Sequence, residues 1–195
     1  MIPRSEYLRK LIHVANSLIP LAYLFVFPDR KGMLLYLGIL TVIVLIVDLG
    51  RRSVRWITIF FDRFFNPLLR QHELQGRLTG ASWVFIGAWL TIFLFPKEIA
   101  VLSLLFLSLG DTAAALVGLR FGNTAIGNKS LEGFLGGTVT CLLVALLFPR
   151  IPWLISFPAA VGAMVVELLP IPVDDNLRIP LLAGVVMVLI TSWLV

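Results

Sequence analysis

Apolar residues fill long runs of this chain, and short segments rich in charged residues, Gly and Pro separate the runs. A helix needs about 20 apolar residues to cross a bilayer, and most of the runs approach that length. We therefore predict an all-α, polytopic integral membrane bundle of about seven transmembrane helices. The predicted helices are residues 11–27, 33–49, 80–95, 99–119, 133–148, 151–169 and 180–195.

The segment 54–69 has a different pattern, because charged residues interrupt a series of aromatic side chains. Trp56, Phe60 and Phe64 recur at intervals of four residues, and the interrupting charges are Arg55, Asp62 and Arg63. This spacing places the rings on one side of a helix. We predict an interfacial amphipathic helix, with its rings toward the acyl chains and its cations toward the lipid headgroups. The alternative is a poor membrane helix, which the charges and Pro67 disfavour.

The composition indicates a membrane protein. Apolar residues make up 59% of the 195 residues and charged residues only 14%, whereas soluble domains are about half apolar and a quarter charged. The mean hydropathy is +0.98. Because a chain of this length forms one domain, we predict a single integral membrane domain over residues 1–195.

The distribution of positive charge predicts the orientation. The formal net charge is +5, and 12 of the 16 Lys and Arg residues fall on one side of the predicted bundle. Loops rich in Lys and Arg face the cytoplasm, so we expect the N-terminus and the active site on the cytoplasmic side of a multi-pass protein. The basic residues flank apolar segments, so we expect lipid headgroups and no nucleic acid as their partners.

Asp111 is the most unusual polar residue, because it lies inside the predicted helix 99–119. A carboxylate within a membrane segment costs a few kcal/mol and usually marks a functional site. We predict that Asp111 contacts a metal ion or the substrate, and the alternative is a structural hydrogen bond to a neighbouring helix. Either a wet cavity reaches Asp111 or the helix breaks at Gly110.

Small residues form a ridge along the same segment. Gly110, Ala114, Gly118 and Gly122 recur at intervals of four residues and therefore share one face of a helix. Such a ridge is typical of closely packed membrane helices. The pattern leaves open whether the partner helix belongs to the same chain or to a homodimer.

The loop that follows has the composition of a phosphate-binding loop. Its Gly and Asn residues free the backbone, and Lys129 supplies a positive charge. Ser130 is a candidate N-cap for the next helix, whose first amides favour anions. The spacing is not that of a Walker A loop. The candidate nucleotide- and phosphate-binding residues are Arg120, Gly122, Asn123, Asn128, Lys129 and Ser130.

Four acidic residues follow Lys129 and are candidates for chemistry. Glu132 and Glu167 are candidate catalytic carboxylates, although Glu132 also suits the first turn of a helix. Asp174 and Asp175 precede Asn176 and suit a hard cation such as Mg²⁺. The alternative for this pair is a turn between prolines, because Asp and Asn favour turns. The predicted metal ligands are Asp111, Asp174 and Asp175.

The N-terminus contributes a further group of polar side chains. Arg9 and Lys10 precede His13 by one helical turn, so the three residues share a helix face. We predict that this face contacts a phosphate or a lipid headgroup, and Asn176 is a further candidate for such a contact. The alternative for the two cations is simple attachment to the cytoplasmic membrane surface.

Together these motifs resemble the family of dolichol kinases, phytol kinases and CTP-dependent diacylglycerol kinases. The resemblance covers most of the chain, and its most specific part is the pair G-D-T-A-A and N-K-S-L-E-G at this spacing. It implies phosphorylation of a membrane lipid alcohol by CTP with a divalent cation. The residues that carry it are R-K-x-x-H at 9–13, G-D-T-A-A at 110–114, the stretch 118–122, N-K-S-L-E-G at 128–133, Glu167, and D-D-N at 174–176.

The resemblance suggests roles for these residues in phosphoryl transfer. Asp111 and the aspartate pair would hold Mg²⁺ on the triphosphate, and Lys129 would bind phosphates together with backbone amides of 122–130. Arg120 is a candidate helper. Either Glu132 or Glu167 would orient the lipid hydroxyl or take its proton, and the sequence does not decide between them. The lipid would enter sideways from the bilayer.

Two other functions remain open at this stage. A phosphatidate cytidylyltransferase would also use CTP, but its K-D segment followed by H-G-G and D-R is missing from the sequence. A small transporter could use Asp111 and Glu167 as a proton or cation relay. A relay needs carboxylates distributed through the membrane thickness, whereas here they cluster toward one predicted face.

Overall fold

Helices account for most of the chain in the computed structural model, which describes residues 4–65, 69, 71–74 and 77–194. The nearly all-α architecture confirms the predicted class. The helices are α1 (Arg4–Ala15), α2 (Leu18–Phe25), α3 (Arg30–Gly50), α4 (Arg55–Phe64), α5 (Gln71–Leu74), α6 (Gly80–Leu94), α7 (Lys97–Leu105), α8 (Thr112–Phe121), α9 (Leu131–Leu146), α10 (Trp153–Leu168) and α11 (Asp175–Leu194).

Three helical segments are long and apolar enough to cross a membrane: α3, the continuous stretch Lys97–Phe121, and α11. The helices α6, α9 and α10 are apolar but shorter. Each of these six corresponds to a predicted membrane helix, with boundaries shifted by a few residues. The total of seven crossings stays a prediction.

The predicted first membrane helix is wrong, because two helices replace it. The chain turns at Asn16 and Ser17, between α1 and α2. Pro20 lies in the first turn of α2 and cannot donate a backbone hydrogen bond, and its ring would clash with the carbonyl of Asn16 in a continuous helix. As a result α1 and α2 are separate helices.

Side-chain caps explain where three of the apolar helices begin. Asp29 accepts a hydrogen bond from the Gly32 amide at 2.7 Å, at the start of α3. Ser130 accepts one from the Gly133 amide at 3.1 Å, at the start of α9. Thr79 caps α6 in the same way. Each cap satisfies an amide that would otherwise lack a partner at the helix end.

The continuous stretch Lys97–Phe121 forms the centre of the bundle, and α9, α10 and α11 pack around it. Between α7 and α8 the helix widens into a π-helix over Phe106–Asp111. The helix therefore does not break before Asp111, which was one of the two predicted possibilities. Short π-helical segments often occur at functional sites because they redirect side chains.

The ridge of small residues packs against α9 within the same chain. A Cβ atom on Gly137 would lie 2.8 Å from the Cβ of Ala114 and 3.1 Å from the Gly110 carbonyl oxygen. A Cβ on Gly133 would lie 2.7 Å from the Ala114 carbonyl oxygen. Glycine on both helices therefore allows α8 and α9 to approach closely. The intrachain alternative accounts for this ridge, and a homodimer stays a prediction.

The helix α4 covers most of the predicted interfacial segment, of which residues 66–68 lie outside the described part. Trp56 and Ile59 are 70% and 58% exposed, whereas Ile57 is buried against the rest of the protein. An exposed apolar face beside arginines is the pattern expected of a helix that lies in the membrane interface.

A buried aspartate that the sequence analysis missed joins the end of α3 to the start of α6. Asp48 accepts hydrogen bonds from Arg51 Nε at 2.6 Å, from the Thr79 amide at 2.8 Å and from Ser82 Oγ at 2.5 Å. Arg51 also donates to the carbonyl oxygens of Glu73 and Arg77. Because these polar groups satisfy one another, the network is structural.

Candidate active site

A cavity of about 340 Å³ lies where α1, the centre of the bundle and the starts of α9 and α11 meet. A cavity thus reaches Asp111, in agreement with the other predicted possibility. Apolar and small residues of α8 and α9 form part of its wall. Its charged lining residues are Glu6, Lys10, Asp111, Lys129, Glu167 and Asp175.

The first charged cluster joins α1 to the central helix. Lys10 Nζ lies 2.6 Å from Asp111 Oδ2, and His13 Nε2 lies 3.3 Å from the same oxygen. His13 Nε2 also lies 3.3 Å from the Leu107 carbonyl oxygen. Since both neighbours of this nitrogen are acceptors, Nε2 carries a proton. All three side chains are about nine-tenths buried.

These contacts change the interpretation of the N-terminal motif. Lys10 and His13 were predicted to contact a phosphate or headgroup, but in the structure both contact Asp111. Lys10 nevertheless lines the cavity. Arg9 forms an ion pair with Glu6 on its own helix. The break after α1 explains the arrangement, because a separate helix can pack its basic face against Asp111.

The second charged cluster surrounds Lys129. Its Nζ lies 2.7 Å from Glu167 Oε1 and 3.2 Å from Asp175 Oδ2. Arg178 binds the other oxygen of Asp175 through two nitrogens, at 2.8 and 2.5 Å. Burial alone would lower the pKa of Lys129, but the negative charges of Asp175 and Glu167 outweigh it and raise this pKa. Lys129 is therefore a cation at neutral pH.

A small β-hairpin presents Lys129 to the cavity. The strands β1 (Ala125–Ile126) and β2 (Lys129–Ser130) pair antiparallel. Gly127 has φ +58° at the turn, a conformation that favours glycine. The hairpin was not predicted from the sequence, because two-residue strands carry no hydrophobic alternation, and the phosphate-binding role of the loop stays a prediction.

Only some of the predicted phosphate-binding residues line the cavity. Asn128, Lys129 and Ser130 are among its lining residues, and Arg120 and Asn123 are not. Both of the latter are exposed, and the Arg120 guanidinium lies 5.4 Å from the centre of the Phe121 ring. Gly122 lies against Ser130, where a Cβ atom would come within 2.8 Å of the hydroxyl oxygen.

Glu132 is not among the lining residues either. Its two carboxylate oxygens accept hydrogen bonds from the Thr124 amide at 3.1 and 3.2 Å. Glu132 thereby closes the base of the hairpin from outside the cavity. The helix-start interpretation of this residue fits the structure better than the catalytic one, because the first turn of α9 directs it toward the loop.

The three predicted metal ligands do not converge. Asp111 contacts Lys10, whereas Asp174 accepts hydrogen bonds from the amide and side chain of Asn176 at 3.0 and 2.7 Å. Within the described ranges, no three His, Cys, Asp or Glu side chains are placed to hold a metal ion. Asp174 thus hydrogen-bonds the first turn of α11, and Asp175 is the member of the pair that lines the cavity.

Asn176 lies in the first turn of α11. Its amide nitrogen donates to Asp174 and lies 3.5 Å from the Gly80 carbonyl oxygen, at the start of α6. Asn176 is not a lining residue of the cavity. Its predicted headgroup contact is therefore replaced by a contact that holds the start of α11 against α6.

Glu167 lies at the end of α10, and only 3% of its side chain is exposed. Its Oε1 binds Lys129, whereas its Oε2 is buried without a hydrogen-bond partner among the described residues. A buried carboxylate oxygen without a partner is rare in folded proteins. The arrangement of Glu167 therefore indicates a position for a ligand.

The fold and the cavity define a membrane protein with a buried, ionised site at one end of a helical bundle. The chain is 34% identical over 185 residues to an uncharacterized protein of Rickettsia prowazekii, covering 90% of each chain. It is also 34% identical over 149 residues to a CTP-dependent diacylglycerol kinase of Schizosaccharomyces pombe, covering 67% of this chain and 68% of the relative.

A probable chloroplastic phytol kinase of Triticum aestivum is 27% identical over 140 residues, which cover 62% of this chain and 47% of that protein. No protein-family model and no solved structure matches the chain. The chain belongs to the family of membrane lipid kinases that contains the CTP-dependent diacylglycerol kinases and the phytol kinases. The resemblance seen in the sequence motifs is thus confirmed.

Proposed function

We propose that this protein transfers the γ-phosphoryl group of CTP to the hydroxyl of a membrane lipid alcohol. The similarity to the S. pombe protein, which is named a CTP-dependent diacylglycerol kinase, carries this proposal. Diacylglycerol is the first candidate substrate, because the wheat phytol kinase is less similar. Phytol and polyprenols are the next candidates.

The charges of the cavity support a phosphate-binding role. Lys129 and Lys10 lie in its wall, and the Asn128 and Ser130 side chains add polar groups on the hairpin. The start of α9 lies beside them, and the first amides of a helix attract anions. A triphosphate bound there would contact Lys129, whose present partners are the carboxylates of Glu167 and Asp175.

A divalent cation such as Mg²⁺ is also part of the proposal. The cavity wall contains four carboxylates against two lysines, so a bare triphosphate would be repelled. Mg²⁺ at nucleotide sites takes one or two carboxylates together with phosphates and water. Asp175 fits this role, because it lines the cavity and its side chain is 26% exposed. Such an ion neutralises phosphate charge.

The residues of the chain would act mainly through positioning and charge. Phosphoryl transfer needs an attacking hydroxyl in line with the leaving oxygen and positive charge around the phosphates. Lys129 supplies such a charge near the cavity mouth formed by the hairpin. Lys10 and His13 hold Asp111 in a fixed orientation beside it. The choice of CTP rests on the relatives that are named CTP-dependent diacylglycerol kinases.

The lipid would reach this cavity from the bilayer at the cytoplasmic face. Phe134 and Leu168 form an apolar part of the cavity wall, which suits the lipid end of the substrate. The helix α4 would lie in the same membrane interface. This orientation rests on the distribution of Lys and Arg along the chain.

The test uses purified protein in detergent with Mg²⁺ and CTP labelled at the α- or the γ-phosphate. Diacylglycerol, phytol, polyprenols and phosphatidate are offered separately, and Asp111→Asn is the inactive control. We expect γ-label in an alcohol, and no label when Mg²⁺ is chelated. Transfer of α-label to phosphatidate would instead identify a cytidylyltransferase. Folded protein that transfers neither label would refute a CTP-dependent lipid kinase.

A further inference from the structure

We propose that Glu167 accepts the hydroxyl proton of the lipid through its Oε2 atom, and is thus a catalytic residue. This inference rests on the proposed kinase activity and chooses between the two carboxylates that the sequence left open. Glu167 lines the cavity, whereas Glu132 lies outside it and binds the Thr124 amide.

Glu167 differs from the other carboxylates of the cavity in its hydrogen bonding. Asp111 is held by Lys10, Asp175 by Arg178, and Glu6 by an arginine on its own helix. Among the described residues, Glu167 Oε2 is the one carboxylate oxygen that is buried without a partner. Its sister oxygen binds Lys129 at 2.7 Å, so the carboxylate cannot turn freely.

The missing partner of Oε2 must be a hydrogen-bond donor or a cation. A buried acceptor without a partner destabilises the folded protein, and a bound donor or cation would remove this cost. The phosphates of CTP are acceptors at neutral pH and cannot fill this role. The hydroxyl of a lipid alcohol is a donor, and the apolar side chains of Phe134 and Leu168 line the same cavity. The lipid hydroxyl therefore fits the chemistry best.

In the proposed step, the γ-phosphoryl group moves from CTP to the lipid oxygen. The lipid oxygen forms a bond to the γ-phosphorus of CTP, and the bond from that phosphorus to the β,γ-bridging oxygen breaks. The electron pair of the broken bond leaves with CDP, and the hydroxyl proton passes to Oε2 of Glu167. Lys129 remains bonded to Oε1, close to the charge that moves during the transfer.

The experiment compares Glu167→Gln with Glu98→Gln. Glu98 lies in the first turn of α7, 13 residues before Asp111 on the same continuous helix, or about 20 Å away. Glutamine preserves the shape of Glu167 but cannot take the proton. We expect kcat to fall about 100-fold in Glu167→Gln, within the range for loss of a general base. The KM for CTP should change less than about threefold in both variants.

A structural role would produce a different pattern, since it would reduce kcat together with CTP binding and thermal stability. If Glu167→Gln keeps a kcat close to that of Glu98→Gln, the inference is wrong while the kinase assignment stands. If a higher Mg²⁺ concentration restores the kcat of Glu167→Gln, then Oε2 binds the cation and does not accept the lipid proton. If the variant does not fold, Glu167→Asp keeps the charge, shortens the side chain by one methylene, and should lower kcat alone.

Discussion

Lys10 Nζ lies 2.6 Å from Asp111 Oδ2, although the two residues are 101 positions apart in the chain. This ion pair joins the N-terminal helix to the π-helical segment at the centre of the bundle. Two motifs that looked independent in the sequence therefore form one site. The pair also explains how a carboxylate can be buried here, because Lys10 neutralises and hydrogen-bonds it, and His13 Nε2 lies 3.3 Å away.

We expect Lys10→Met to destabilise the protein by about 3–5 kcal/mol, because it leaves the Asp111 charge buried without its cation. Thermal unfolding in detergent measures this loss. The double variant Lys10→Met, Asp111→Asn removes both charges and should recover most of the stability. Lys31→Met, at an exposed position at the start of α3, is the matched control. Equal stability of the Lys10 and Lys31 variants would contradict a structural role for the pair.

We expect Lys129→Met to raise the KM for CTP at least tenfold, because a hydrogen bond to a charged group contributes about 1.5–3 kcal/mol. Steady-state kinetics with CTP as the varied substrate measures this change. Lys129→Arg keeps the charge and should lose less. An unchanged KM in the methionine variant would remove Lys129 from the phosphate site.

The contribution of Lys129 should be constant from about pH 7 to about pH 9. Burial lowers its pKa, but Asp175 and Glu167 raise it further, so the net shift is upward. Because the pKa of Lys129 is raised above the ordinary lysine value near 10.4, the ammonium stays charged at every pH below that value. The charge is lost only when the pH rises through the raised pKa. The ratio of the KM values for CTP in Lys129→Met and wild type measures this. A ratio that falls toward one by about pH 9 would mean that the pKa is lowered instead.

We expect Gly137→Ala to lower the stability by about 1–3 kcal/mol, as overpacking does. Its Cβ atom would lie 2.6 Å from Met164 Sδ and 2.8 Å from Ala114 Cβ. Gly162→Ala is the matched control, because its nearest neighbour is Val186 Cγ2 at 3.6 Å. Gly162→Ala should be neutral or slightly stabilising. Similar melting temperatures for the two variants would show that α8 and α9 do not need this close approach.

The orientation can be tested with single cysteines at Lys31 and Arg55, which are both exposed. The native Cys141 is fully buried, so it should not react in the folded protein. We expect Lys31→Cys to react with a membrane-impermeant maleimide in intact cells, and Arg55→Cys to react only after permeabilisation. The reverse pattern would place the cavity on the outer face.

The helical architecture could be predicted because each apolar run carries its own signal. The runs that became α3, α6 and α9 to α11 differ from prediction mainly at their ends. The first run differs more, since Pro20 divides it. Hydrophobicity alone does not detect this division, because the apolar run continues across it. Proline is common in the first turn of a helix, so Pro20 suits a new helix that begins there.

The site could likewise be predicted only in part: single residues were recognisable in the sequence, but the contacts between them were not. Lys129, Glu167 and Asp111 were recognisable individually, because a charge inside or beside an apolar segment is unusual. Their partners were not, since Asp175 and Lys10 come from distant parts of the chain. Asp48 was missed because it lies near the end of the predicted helix 33–49, where it resembles an ordinary polar residue of a helix end.

The sequence by itself determined that this is a helical membrane protein with a charged site, and its motifs indicated the family. These properties follow from composition, periodicity and local motifs, which do not depend on how the helices pack. Only the tertiary structure decided that Lys10 binds Asp111, that Glu132 faces away from the cavity, and that one oxygen of Glu167 lacks a partner. These contacts depend on the distances between helices, which packing determines. One example is the close approach of α8 and α9 that their small residues allow.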